Sequence, residues 1–121
     1  MQLTSGLHFA FVERGLIREQ VPGGRVWRTH YPASPQTPGE DFAIVARLLD
    51  SKTGQFTMVV GGTASWGTEA ASELITNPAY LEQGLHNAPL DWQKNNIELV
   101  LQTTITDSTT GPPQVEATYF W

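Results

Sequence analysis

The stretch that decides the fold is FAIVARLLDSKTGQFTMVVGG, residues 42–62. It contains two apolar runs, 42–49 and 56–62, which are separated by the turn-forming residues 50–54. Two such runs around a short turn are typical of a β-hairpin. Only Arg47 and Thr57 interrupt the runs, whereas a strand with one solvated face alternates between apolar and polar residues. The sequence therefore predicts a central hairpin with both faces covered.

The residues before this hairpin predict further strands and a loop. The segment 8–21 is rich in aromatic and branched residues and stops at Pro22-Gly23-Gly24, which favours a strand followed by a turn. The segment 25–31 alternates and predicts another strand. The segment 32–41 contains three prolines, at a spacing that no regular element tolerates, and predicts a surface loop.

The residues after the hairpin predict a helical region. Ala70, Ala71, Leu74 and Ile75 recur at helical spacing. Thr68 is the predicted N-cap of this helix. Asn77 and Pro78 predict a second cap and a short second helix that ends near Gly84.

Two more strands are predicted at the C-terminal end of the chain. Residues 97–106 alternate, with one set of side chains toward the core and Glu98 among the set facing water. A turn at 107–113 leads into residues 114–121, which form the second strand. The strand at 56–61, the helices and the strand at 97–105 could form a right-handed crossover.

The predicted fold class is α+β. We expect one domain over residues 1–121, with a mostly antiparallel or mixed sheet of five to six strands and one or two short helices on one face. The length of 121 residues and mass of 13.3 kDa suit one core. With 40% hydrophobic and 16% charged residues, the chain is too apolar for disorder and too mixed for a membrane span.

Charge and cysteine content exclude several classes of function. The net charge of -5 argues against a nucleic-acid partner. The absence of cysteine excludes disulfides, thiolate zinc sites and a cysteine nucleophile. The first residues, MQLTSGLHFAFVERG, lack the basic start and apolar block of a signal peptide, so we expect a cytoplasmic location and no membrane partner.

The charge is distributed unevenly along the chain. Residues 1–60 carry six basic and five acidic groups, whereas residues 61–121 carry one basic and seven acidic groups. Such asymmetry either steers a partner or reflects an uneven solvated surface.

The strongest candidate for a binding site is the glycine-rich segment 61–68, which lies between a predicted strand and a predicted helix. Glycines at such a turn allow backbone N–H groups to converge, and a helix N-terminus attracts anions. Alternatively, the glycines only make a tight turn. We predict a small polar or anionic ligand here, with a contribution from the strand at 25–31. The predicted ligand-binding residues are Gly61, Gly62, Thr63, Ser65, Trp66, Gly67, Thr68, Arg28 and His30.

The same segment departs from two known catalytic motifs. A P-loop needs lysine where Thr68 stands and a hydroxyl residue where Glu69 stands. A nucleophile elbow needs glycine where Thr63 stands, and His86 and Asp91 would follow Ser65 in the wrong order for that fold. We therefore assign no catalytic residue. A small hydrolase-like enzyme that uses Ser65, His30 or His86 is the alternative.

Metal and paired-carboxylate chemistry have little support. His8, His30 and His86 are far apart and lack ligands at metal-binding spacing, so we expect no metal and no cofactor. Glu40 and Asp41 are adjacent, just before the predicted central strand, and should point in different directions.

Aromatic residues are numerous for so small a core. Large rings dominate interfaces, and alternation places Phe120 and Trp121 on opposite faces. They either pack within the monomer or mark a contact with a second copy or a host protein. The predicted interface residues are Trp27, Tyr119, Phe120 and Trp121.

Several short strings resemble an uncharacterised bacterial family. They are DFAIVAR (41–47), MVVGG (58–62), GTEAA (67–71), ITNP (75–78) and GPP (111–113). The family is often found in acidobacteria and resembles the C-terminal segment of regulator-like proteins, where winged-helix or helical-repeat regions precede it. The likeness covers about residues 25–117. It implies an accessory sensing or interaction domain and carries over no catalytic residues.

Three functions remain open at this stage. The first is a non-catalytic ligand-sensing or protein-interaction module of a regulatory system. The second is the small enzyme with a pocket beside residues 61–68. The third is a subunit of a self-assembling structural oligomer, with aromatic edge strands as the contact.

Overall fold

The structure is a computed structural model that describes residues 4, 6–34, 36–50, 52–107 and 109–121. The predicted loop and turns at 32–41, 50–54 and 107–113 each include one residue outside this set. These residues are Pro35, Ser51 and Ser108. Four residues of the N-terminal segment examined for a signal peptide, 1–3 and 5, also lie outside it.

The described residues form eight strands in two antiparallel sheets, with two helices. The small sheet has the order β1-β2-β3 and consists of β1 (Phe9–Glu13), β2 (Leu16–Glu19) and β3 (Val26–Arg28). The large sheet consists of β4 (Gly39–Leu49), β5 (Phe56–Gly62), β6 (Ile97–Thr106), β7 (Thr109–Thr110) and β8 (Gln114–Phe120). Its order is β5-β4-β6, and both β7 and β8 pair with β6. The helices are α1 (Ser65–Thr76) and α2 (Pro78–Gly84), and a single 3₁₀ turn covers Trp92–Lys94.

The large sheet lies between the helices and the small sheet. On one face, Val45 and Leu99 pack against α1 through Ala70 and Leu74. On the other face, Ile44 and its neighbours pack against the small sheet, in a cluster of Phe9, Ile17, Phe42, Val100 and Ala117. Because neighbouring residues of β4 point to opposite faces, both faces of this strand are buried. The α+β prediction, with helices on one face, is confirmed.

The predicted hairpin is present, but its second strand is not central. β4 pairs with β5 from Ala43–Gly62 to Leu49–Phe56 and with β6 along its other edge. β5 pairs only with β4 among the described strands, and its residues 56–58 are exposed. The expectation that both strands are covered is therefore wrong for β5. The chain leaves β5 for the helices and returns in β6 on the far side of β4, so β5 is an edge strand and β5 and β6 are parallel.

The N-terminal residues form a hairpin rather than one strand and a turn. Gly15 joins β1 to β2 with a φ of 75°, a left-handed conformation that suits glycine. The strand predicted at 25–31 is shorter, and His30 makes one further bridge, to Glu40. The predicted loop at 32–41 ends sooner than expected, because β4 already begins at Gly39.

The start of α1 differs from the prediction, whereas the start of α2 agrees with it. Helix α1 begins at Ser65 with the extended residue Ala64 as its N-cap and no side-chain cap. The predicted cap, Thr68, lies inside the helix, where its hydroxyl oxygen accepts a hydrogen bond from the N–H of Gly62 at 3.0 Å. Asn77 caps α2 as predicted, since its Oδ1 accepts from the N–H of Ala79 at 3.1 Å.

The alternation predicted for β6 holds at only one end of the strand. Thr104 and Thr106 are exposed as expected. Glu98, which was expected to face water, has 0% exposed surface. The reason is that the small sheet covers this face, an arrangement of distant segments that alternation along one strand does not reveal.

Candidate functional site

The glycine-rich segment 61–68 is attached to the large sheet by the carboxylate of Asp41. This side chain is 0% exposed. Its Oδ2 accepts a hydrogen bond from the N–H of Gly67 at 2.6 Å, and its Oδ1 accepts from the N–H of Phe42 and the hydroxyl of Thr29, both at 2.9 Å. The hydroxyl of Thr63 also donates to Oδ1. One buried acid thus joins the residue after β3, the start of β4 and the start of α1.

Several backbone donors of the segment are used within the protein. The N–H of Thr63 donates to the carbonyl of Phe42 at 2.9 Å, and the N–H of Gly62 donates to Thr68. Together with the bond from Gly67, these contacts make the segment a rigid joint between β5 and α1. An anion at this turn would have to compete with internal acceptors.

Sequence reasoning missed the role of Asp41. Glu40 and Asp41 do point in different directions, as predicted. Glu40 lies at the surface, with Oε1 2.9 Å from Nδ1 of His30. The available signal was an acid placed directly before a run in which both faces are buried, since a buried acid needs several donors.

The predicted ligand-binding residues lie in separate places. Gly61, Gly62 and Thr63 line a cavity of about 370 Å³ between the β1–β2 hairpin and β5. Arg28 lines a second cavity of about 390 Å³, and His30 a third of about 380 Å³. The remaining predicted residues, Ser65, Trp66, Gly67 and Thr68, line none of these three cavities. A site that combines them stays a prediction.

Replacing Gly67 by alanine should destabilise the joint. A Cβ on Gly67 would lie 2.4 Å from the carbonyl oxygen of Phe42 and 3.1 Å from Oδ2 of Asp41, so the backbone must shift. We expect the free energy of unfolding, measured by urea denaturation, to fall by about 1–3 kcal/mol. Gly61→Ala is the matched control, because its Cβ would meet only the Phe11 ring, at 3.7 Å. Equal stability of the two variants would contradict the assigned role of Gly67.

The predicted interface residues differ in exposure. Trp27 is half-buried and packs edge-on against Phe9, with ring centroids 5.7 Å apart, so it belongs to the packing of the small sheet. Phe120 is also half-buried. Tyr119 and Trp121 are 39% and 43% exposed and contact each other at 5.4 Å. The role of these residues as an interface stays a prediction.

A further cavity, of about 350 Å³, lies between the helices and the large sheet. The sheet contributes the apolar side chains of Val45, Met58, Ile97 and Leu99. The helical side contributes Ile75, Thr76, Leu81, Leu85 and Trp92. Met58 is 51% exposed and so stands at the mouth of the cavity. We call this space the helix–sheet cavity.

Among the residues that the structure describes, Arg47 is the one charged residue that lines the helix–sheet cavity. Its Nη2 donates to the carbonyl oxygens of Trp92, Gln93 and Asn95 at 3.0–3.1 Å. Its guanidinium lies over the rings of Phe56, at 4.2 Å, and Trp92, at 5.3 Å. Its Nε is buried and has no acceptor in the part of the chain that the structure describes. Burial lowers the pKa of this guanidinium.

The residues proposed for a small enzyme are not joined by the described contacts. His30 contacts Glu40, and Nδ1 of His86 is 2.6 Å from the carbonyl oxygen of Gln83. Between Ser65 and either histidine, the described residues show no hydrogen bond. Within the described ranges there is also no group of three or more His, Cys, Asp or Glu side chains that could hold a metal ion.

Glu98 is a second buried acid, with fewer partners than Asp41. Its Oε1 accepts a hydrogen bond from the N–H of Phe9 at 2.7 Å. Its Oε2 is buried and meets no partner with hydrogen-bond geometry among the described residues. Burial raises the pKa of Glu98 to about 7, although hydrogen bonding from the backbone of Phe9 and His8 opposes the increase.

Comparison with known proteins assigns no family or function to this chain. No protein-family model, no curated protein and no solved structure matches the chain. Among the described residues, neither helix has the length and apolar character that crossing a membrane requires.

Proposed function

We propose that this protein is a non-catalytic ligand-sensing module, and that its ligand occupies the helix–sheet cavity. The observation that carries the proposal is the cavity itself: a space of about 350 Å³ with predominantly apolar walls. Small-molecule sites typically have about 300–1,000 Å³ and apolar walls with a few polar groups. The proposal keeps the class of function predicted from the sequence and places the ligand away from residues 61–68.

The packing of α2 supports a sensing role. This helix has no buried residue; it contributes Leu81 to the cavity wall, and Leu85, which directly follows the helix, also lines the wall. In contrast, α1 is held by Asp41 at its start and by four buried residues. A ligand in the cavity would bury further apolar surface of α2, and a partner could detect the change in the mobility of this helix.

A pair of leucine variants tests whether the cavity binds a ligand. The probe is N-phenyl-1-naphthylamine, a neutral apolar dye whose fluorescence rises on leaving water. We expect saturable binding to the wild type and at least ~10-fold weaker binding to Leu85→Trp, because the larger ring fills the cavity. The measurement is a fluorescence titration at constant protein concentration.

The matched control is Leu90→Trp, since Leu90 is fully exposed and lines no part of the helix–sheet cavity. It adds the same ring to the surface and should bind the dye like the wild type. Absence of saturable binding to the wild type, or equal binding to Leu85→Trp, would refute the proposed site.

Self-association through β5 is a second candidate function, and it rests on a different observation. β5 is an edge strand without a charged residue, and Phe56 and Met58 are 40% and 51% exposed on it. Edge strands that avoid pairing commonly carry lysine, proline or a bulge.

If β5 pairs with a second copy, light scattering should show a mass that increases with protein concentration, and Thr57→Lys should abolish the increase. A constant monomer mass would exclude this candidate.

A further inference from the structure

We propose that the ligand of the helix–sheet cavity is an apolar monocarboxylate, with an alkyl or aryl tail, whose carboxylate is bound by Arg47. This inference rests on the proposed function and adds the chemical class of the ligand. It depends on the charge of Arg47, the state of its donors and the apolar walls around it.

The positive charge of Arg47 has no anionic partner. In the described part of the chain, no carboxylate lies within ion-pair distance of its guanidinium; the four ion pairs there involve other residues. Three carbonyl oxygens and two aromatic rings surround the group, and all of them are neutral. A charge in such surroundings favours an anion, because its attraction is weakly screened there.

The donors of Arg47 are also incompletely satisfied. Nη2 has its carbonyl acceptors, whereas Nε is buried without any acceptor among the described residues. A buried donor without a partner is unfavourable, because it has lost its hydrogen bond to water without gaining another. A carboxylate at this end of the cavity would supply the opposite charge that the guanidinium lacks.

The charges around the cavity set the direction of the ligand. A neighbouring cavity of about 480 Å³ shares Leu81, Leu85 and Trp92 with the helix–sheet cavity and continues to Glu82 and His86. The carboxylate of Glu82 would repel an anion in this neighbouring cavity. The carboxylate of the ligand therefore lies at Arg47, and its apolar tail extends along Leu81 and Leu85.

The test compares octanoate with methyl octanoate and 1-octanol as competitors of the neutral dye at pH 7. The three compounds have similar tails, but only octanoate is charged. For the wild type we expect octanoate to bind roughly 10- to 100-fold more tightly than the ester or the alcohol, the range expected for charge-assisted hydrogen bonds. This comparison needs no variant and so does not depend on whether a variant folds.

Two arginine variants then assign the preference to one side chain. Arg47→Met keeps an apolar stem, and we expect it to lose the preference for octanoate while binding 1-octanol within about 3-fold of the wild type. Arg18→Met removes an exposed arginine of β2 and should keep the preference.

Two outcomes separate this inference from the proposed function. If the wild type binds the dye saturably but octanoate and its ester compete equally well, this inference is overturned and the proposed function is intact. A wild type that fails to bind the dye overturns the proposed function itself.

Discussion

Asp41→Ala should lower the free energy of unfolding by about 3–5 kcal/mol, measured by urea denaturation. The carboxylate is 0% exposed and accepts hydrogen bonds from Gly67, Phe42, Thr29 and Thr63. Alanine would leave the N–H groups of Gly67 and Phe42 without an acceptor, whereas the hydroxyls of Thr29 and Thr63 would keep their contact with each other. Each buried orphan is unfavourable by about 1–3 kcal/mol. Because the donors come from separate segments, the loss should also loosen the start of α1, visible as faster amide exchange at Gly67.

Glu40→Ala is the matched control for this prediction. Glu40 is the neighbouring acid, and its contact with His30 lies at the surface, where such pairs contribute about 0–1 kcal/mol. We therefore expect Glu40→Ala to change stability by less than ~1 kcal/mol. If the two alanine variants lost the same amount of stability, the assignment of Asp41 as the central contact of the joint would be wrong.

The second large effect is a decrease in stability between about pH 4.5 and 7 that depends on Glu98. Burial raises the pKa of Glu98 in the folded protein to about 7, from an ordinary value of 4.5 in the unfolded chain. The folded state therefore holds a proton that the unfolded chain releases. The protonated carboxyl of Glu98 therefore favours the folded state. This stabilisation is complete below pH 4.5 and is lost as the pH rises to about 7. The two pKa values differ by an amount equivalent to ~3 kcal/mol.

Urea denaturation at a series of pH values measures this effect. In Glu98→Gln, where no carboxyl titrates, the decrease should disappear, whereas Glu116→Gln on the exposed side of β8 should retain it. Glu19 acts in a different range: its hydrogen bonds with Arg25 and His8 lower its pKa to about 2, so its stabilisation is lost only as the pH falls below 4.5. An identical pH profile for the wild type and Glu98→Gln would contradict the assignment.

The same two acids mark the limit of sequence reasoning. Asp41 precedes an apolar run and Glu98 lies within an alternating one, and both looked like surface residues. Each is buried because a segment distant in sequence covers it, the residues around Thr29 and Gly67 in one case and Phe9 in the other. No pattern along one strand identifies the distant segment that covers it.

The candidate site likewise combines features that the sequence indicated with features that only the tertiary structure decided. Arg47 was noticed only as an interruption of an apolar run, although such an interruption is itself a signal that a charge will be buried. Its surroundings come from Phe56 on β5 and from the carbonyl oxygens of the turn after α2. Residues 61–68 were selected because glycines and a helix start favour an anion, but the N–H groups of Gly62 and Gly67 are occupied internally.

Local pattern determined the elements of this protein: the hairpin of β4 and β5, the Asn77 cap with Pro78, the bounds of β6 and the α+β class. These depend on periodicity, turn residues and caps, which act over a few residues. Tertiary structure alone decided that β5 is an edge strand, that a small sheet covers Glu98, and that Arg47 faces an apolar cavity. These features depend on which distant segments meet, because the burial of a side chain is a property of all its neighbours in space.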